Sequence, residues 1–127
     1  MKVFQFGFWS NEENDHHPNQ LTEHSIYYSG THDTSTLNGW RKNMSPEERL
    51  RLENTFMRSF DEINHHHLIA KISNSNGKIT IFQLQDIFNL GDQHRFNIPG
   101  TKGENWKWRA TSQLLYSEVS LLSLIHI

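Results

Sequence analysis

The sequence has no cysteine, so disulfides and thiolate metal sites are excluded. It contains no apolar run of about 18 residues, the length a membrane-spanning helix needs. It has no surplus of basic charge. Lys+Arg is 12 against 14 Asp+Glu, a net charge of −2, which argues against nucleic acid or an acidic lipid surface as partner. The opening stretch, MKVFQFGFWSNEEND, holds one basic residue and then turns acidic, so it does not read as a signal peptide. Alanine occurs only at 70 and 110. Hydrophobic residues make up 35% of the 127 residues; even with glycine added this falls short of the roughly 45–50% of an ordinary soluble domain. One domain at most is expected, with little to bury in a private core. Either the fold is small and marginal, or the chain is part of something larger; an aromatic alternation that starts at the first residue with no lead-in favours the second.

What is present has an order. Residues 1–9 alternate Phe4, Phe6 and Phe8 with Val3, Gln5, Gly7 and Trp9, a period-2 pattern that predicts a strand. Residues 10–24 are polar and predict a loop long enough to carry function. Residues 25–30 predict a second strand, and Leu37 to Asn43 a helix. Ser45-Pro46-Glu47-Glu48 combines a cap, a first-turn proline and a capping box, and predicts a helix to about residue 60. Asp61 is expected to cap a further helix carrying Ile63, Leu68, Ile69 and Ile72. Asn74-Ser75-Asn76-Gly77 should stop it through residues that tolerate positive φ. Lys78 to Leu84 predicts a third strand, Gln85 to Leu90 a helical turn, and residues 91–103 a loop. Strands alternating with helices predict parallel βα units, an α/β fold. Three such strands cannot close a barrel.

Gly30-Thr31-His32-Asp33 falls at the C-terminal end of a predicted strand, the rim that carries catalytic groups in α/β barrels. A carboxylate beside an imidazole there can stabilise a cationic transition state and hold a sugar hydroxyl. The plainer reading of the spacing alone is that Asp33 caps the helix that follows.

Three stretches in register extend the signal: MKVFQFGF, YYSGTHDTST and LQDIFNLGDQHRFNIPGTKGENWKWR. Together, over roughly residues 1–109, they resemble the C-terminal third of the 4-α-glucanotransferases, the amylomaltases or disproportionating enzymes. The resemblance implies a partial (β/α)8 TIM barrel, its C-terminal portion, with residues 1–9, 25–30 and 78–83 as sixth, seventh and eighth strands. It implies a retaining mechanism, in which one carboxylate forms a covalent glucosyl-enzyme and a second acts as acid and base. Asp33 matches the third, transition-state-stabilising carboxylate. His32 matches a sugar-binding histidine, and Asn97 an asparagine of the substrate cleft. The nucleophile and the acid/base match nothing in this chain; Glu12, Glu13 and Asp15 fit neither role. The implied substrate is an α-1,4-glucan or maltooligosaccharide, and the implied partner the remainder of the barrel. No cofactor, metal, nucleic acid or membrane is implied. The compartment implied is the cytoplasm, or a plastid in a plant-like source.

The chain departs from the family pattern at several positions. Thr34 stands where an Asn usually follows the His-Asp pair, and Gln83 replaces a Pro. Phe96 replaces Met, and Glu104 replaces a Gly. Residues 1–110 are expected to form the barrel portion and 111–127 a divergent tail. LLYSEVSLLSLIHI reads as non-native sequence, such as a frameshift or adapter read-through, or as a divergent terminal strand.

Other features have plainer readings. His65-His66-His67 cannot face one ion from a helix, since successive residues point about 100° apart, so a solvated face is expected. His16-His17 reads as loop. Trp106 and Trp108 should share one face of an extended segment, where core packing is favoured over sugar stacking. Asp86 either touches substrate or caps the helical turn it begins. Competing functions are an α-amylase-type hydrolase, against which the Arg95–Gly100 loop and Asn105-Trp106-x-Trp108-Arg109 speak, and a non-catalytic glucan-binding remnant.

Overall fold

A computed structural model describes residues 1–117. Three strands form one parallel sheet in the order β1 (Lys2–Val3), β2 (Ile26–Tyr28), β3 (Ile79–Ile81). Val3 pairs with Tyr28, and Tyr28 with Ile81. The helices are α1 (Leu37–Lys42), α2 (Pro46–Phe56), α3 (His65–Ser73), α4 (Leu84–Ile87) and α5 (Ser112–Ser117). The α/β class and the parallel order match expectation.

The first strand does not extend to residue 9. Only Lys2–Val3 pair, and Phe4–Phe8 turn into a 3-10 helix. Phe4 and Phe8 stand at the two ends of that helix. Both are fully buried, their ring centroids 5.1 Å apart, and each packs on Trp40. Gly7 permits the turn, because a Cβ there would lie 2.8 Å from the His17 backbone.

The polar stretch 10–24 is not a free loop. It folds back so that the Val3 amide donates to His16 Nδ1 and the Tyr27 hydroxyl donates to the His16 carbonyl. His17 is buried, its Nδ1 accepting from the Asn19 amide and its Nε2 bonded to the Thr55 hydroxyl. Burial lowers the pKa of both imidazoles.

The start of α2 is as expected: Ser45 and Glu48 form a reciprocal capping box with Pro46 in the first turn. Met57, left-handed at φ 53°, ends it. The start of α3 differs. Asn64, not Asp61, is the cap, and His67 completes its capping box; Asp61 lies in a separate 3-10 turn. The end of α3 uses no left-handed residue. Asn74 has φ −92° and returns its N–H to the Ala70 and Ile72 carbonyls. The core joins Phe4, Phe8, Tyr27, Leu37, Trp40 and Leu52 to Ile63, Leu68 and Ile72. On β3, Ile79 and Ile81 stay 49% and 43% exposed. No described helix is long and apolar enough to cross a membrane.

A candidate active site at the ends of the parallel strands

Chain direction sets the place. Parallel strands bring the C-terminal ends of β2 and β3 to one edge, and the segments leaving them carry the polar groups. After β2 the backbone passes through Ser29 and Gly30. A Cβ on Gly30 would meet Thr34 Oγ1 at 2.8 Å and Gln5 Nε2 at 3.1 Å, so glycine allows this close crossing. Thr34 then closes a tight turn. Its hydroxyl accepts from the Thr31 amide at 2.9 Å and donates to the Thr31 carbonyl at 3.1 Å. Thr34 thus ties the His32–Asp33 turn to itself, a job its hydroxyl does where the family pattern has an amide.

The turn projects His32 and Asp33 outward. Their side chains are each 54% exposed, with His32 Nε2 3.1 Å from Asp33 Oδ2. Asn97 donates from Nδ2 to the other oxygen, Oδ1, at 2.9 Å. All three residues singled out by sequence therefore meet. Beside them opens a cavity of about 400 Å³ lined by Tyr28, Gly30, Thr31, His32, Asp33 and Phe82 among others.

Arg95 also belongs to the cluster, a role that the motif containing it does not imply. Its guanidinium donates to the Asp33 carbonyl at 3.2 Å, to the Asn97 carbonyl at 3.2 Å and to the Ser35 hydroxyl at 3.5 Å. It thus fixes the backbone of both partners. Nothing local marks it; its partners lie on either side of a long chain excursion.

The tryptophans do not share a face. Trp106 is left-handed at φ 65° and 56% exposed, its ring 5.1 Å from the His32 ring. Its amide bonds to the Phe96 carbonyl. Trp108 instead packs edge-on against Phe96 and donates from Nε1 to His94 Nδ1 at 2.9 Å. An exposed indole beside His32 replaces the expected core packing for Trp106.

Asp86 neither faces the cavity nor caps its own helix. It is 1% exposed and accepts from the Ser29 hydroxyl at 2.6 Å and from the Leu37 amide at 2.8 Å. It accepts from the first amide of α1, a helix of a different βα unit whose cap is Thr36. Burial raises its pKa from 3.8 to about 6, against the two hydrogen bonds and with the charge of Asp92. Gln83 matters here too: its amide donates to the Ser29 hydroxyl at 3.1 Å, a bond that a proline at this position could not make.

The histidine run does not converge. His65 Nε2 lies 3.3 Å from the Ile87 carbonyl, and His67 Nδ1 accepts from the Asn64 amide. Among the described residues no three His, Asp or Glu side chains gather around a common point.

A Thr-His-Asp turn at the end of a parallel strand, tied to an Arg-Phe-Asn loop, is the arrangement expected of one enzyme family. A family model described as 4-α-glucanotransferase matches residues 1–115. The chain belongs to the 4-α-glucanotransferase family. It is 37% identical over 109 residues to the 4-α-glucanotransferase of Aquifex aeolicus, covering 85% of this chain and 22% of that protein. It is 34% identical over 119 residues to the chloroplastic/amyloplastic 4-α-glucanotransferase of Solanum tuberosum, covering 94% of this chain and 21% of that protein. The amylomaltase from Streptococcus agalactiae, solved in complex with acarbose, superposes with a TM-score of 0.86 at 31% identity. That match covers 98% of this chain and 26% of the amylomaltase. The chain thus spans about a quarter or less of the length of these glucanotransferases, and is a fragment relative to them. The α-amylase alternative has no support among these matches.

Proposed function

We propose that this chain is the substrate-contacting rim of a 4-α-glucanotransferase barrel, its β1, β2 and β3 being the sixth, seventh and eighth strands. The whole protein would cleave an α-1,4 bond of a donor glucan and pass the glucosyl segment to the 4-hydroxyl of another glucan or of glucose. The observation that carries this reading is Asp33, held at the end of β2 between Asn97 and His32 within a family match.

The chemistry follows from that geometry. As the glycosidic bond breaks, positive charge develops on the sugar ring, and a carboxylate fixed beside it binds the transition state more tightly than the ground state. Asp33 has each oxygen engaged by one neighbour, so its orientation is set before substrate arrives. His32 presents an imidazole that holds a sugar hydroxyl in both states, and Asn97 fixes Asp33 and borders the cleft. The nucleophile and the acid/base belong to the portion of the barrel outside this chain, so residues 1–127 alone are inactive. The retaining outcome comes from those two groups.

Residues 1–110 form the barrel portion in this reading, and 111–127 a divergent tail. Ser112–Ser117 is helical, which does not suit a terminal strand; residues 118–127 lie outside the described structure. The compartment follows the source, plastid in a plant and cytoplasm otherwise, on the strength of plant relatives named chloroplastic/amyloplastic.

The experiment is disproportionation of maltotriose by the full-length protein. Glucose and maltodextrins longer than the substrate should accumulate together. Products no longer than maltotriose would instead indicate a hydrolase, and no products at all a binding remnant.

A further inference from the structure

We propose that Asp86 is a positioning residue that clamps both ends of the loop carrying His32 and Asp33. This rests on the reading of Asp33 given above. Ser29 ends the strand segment before the loop, and Leu37 begins α1 after it; both donate to the same carboxylate, one to each oxygen. The seat of Asp33 is therefore defined at entry and exit by one buried group.

Three further bonds hold the same loop. Ser29 can donate to Asp86 because its oxygen in turn accepts from the Gln83 amide. Thr36, the cap of α1, donates its amide to Asp92 Oδ1 at 3.1 Å. Gly39 makes room for that contact, since a Cβ there would fall 2.3 Å from the Asp92 carboxylate. From β1's side, Gln5 donates to the Ser35 carbonyl at 2.7 Å.

An acid is an expensive choice for such a position. No cation pairs with Asp86 among the described ion pairs, and burying an unpaired charge is costly. A carboxylate is, however, short enough to accept from two donors that converge from different elements. Without it the Leu37 amide, whose residue is 0% exposed, and the Ser29 hydroxyl would each lose a buried partner. Catalytic groups tolerate displacements of only about 0.5 Å, so a slack loop costs rate before it costs binding.

The test uses the full-length protein, with kcat and KM on maltotriose and the melting temperature read for each variant. Asp86→Ala should lower kcat by about tenfold or more and leave KM within about threefold. Asp86→Asn should retain at least about a third of wild-type kcat, because its oxygen still accepts from Leu37 and its amide can donate to Ser29. Asp92→Ala, at a half-buried position, should fold and lower kcat about threefold. If Asp86→Ala does not fold, Ser29→Ala and Asp92→Ala decide. Variants that fold and keep wild-type kcat would overturn the clamp, as would an Asp86→Asn as impaired as Asp86→Ala. A wild-type protein that does not disproportionate maltotriose would overturn the functional reading first, and this one with it.

Discussion

Asn97 donates from Nδ2 to Oδ1 of Asp33 at 2.9 Å, although the two residues stand 64 positions apart in the chain. The bond joins the segment after β2 to the segment after β3, so the candidate site exists only once both βα units are packed. The carboxylate is half exposed, which limits the worth of the bond, yet among the described residues Asn97 is the one side-chain amide that bonds it.

Replacing Asn97 by Ala in the full-length protein should therefore lower kcat by roughly fivefold, a loss of about 1 kcal/mol. On the proposed function, which puts Asn97 in the substrate cleft, the KM for maltotriose should rise as well. Steady-state kinetics check this; unchanged kcat would show that Asp33 is held by His32 and Arg95 alone.

The isolated chain should be neither active nor cooperatively folded. Its sheet edges are open, and Ile79 and Ile81 remain about half exposed, which invites association rather than a closed fold. Purified protein should release no glucose from maltotriose and should melt without a sharp transition. A monomeric gel-filtration profile with a cooperative melt, or measurable transfer, would contradict the fragment reading.

Asp86 should leave a pH signature on stability. Its pKa is raised from 3.8 to about 6 by burial, so the folded state binds the proton more tightly than the unfolded state. Its contribution to stability is then greatest below about pH 4 and shrinks as pH rises through about 6. Asp86→Asn removes that titration. Between about pH 4.5 and about pH 7.5, wild type should lose on the order of 2 kcal/mol relative to Asp86→Asn. Melting temperatures of the two full-length proteins across that range check the sign. A difference that is flat, or grows in the wild type's favour, would contradict it.

Legibility in the sequence followed the range of the forces involved. The start of α2 was readable because Ser45, Pro46 and Glu48 act on their own first turn. The end of β1 was not. Phe4, Phe6 and Phe8 fit a strand by alternation, while Phe4 and Phe8 alone fit a helical turn. The choice was made by Trp40 and by the His17 backbone behind Gly7, both distant in sequence. Asp61 and Asn64 carry the same local signal, so sequence does not choose between them as the cap of α3, and the structure uses Asn64. His32, Asp33 and Asn97 were found through the family motif, and geometry then brought them together. Asp86 had no local signal for its role, since Ser29 and Leu37 stand 57 and 49 positions away. The outward turn of Trp106 is not legible because a left-handed tryptophan leaves no trace in an alternation pattern.

On the proposed function, Asp33 stabilises a glucosyl cation formed by the whole enzyme. The most direct measurement is steady-state turnover of maltotriose by full-length Asp33→Asn, with maltotriose binding measured separately by calorimetry and His32→Ala alongside. Turnover by Asp33→Asn should be abolished while binding stays close to wild type, because the carboxylate acts on charge that exists only as the bond breaks. His32→Ala should weaken binding as well, because a hydroxyl is held in both states. If Asp33→Asn kept more than about a tenth of wild-type turnover, a loss under ~1.4 kcal/mol, Asp33 would not be the stabilising carboxylate.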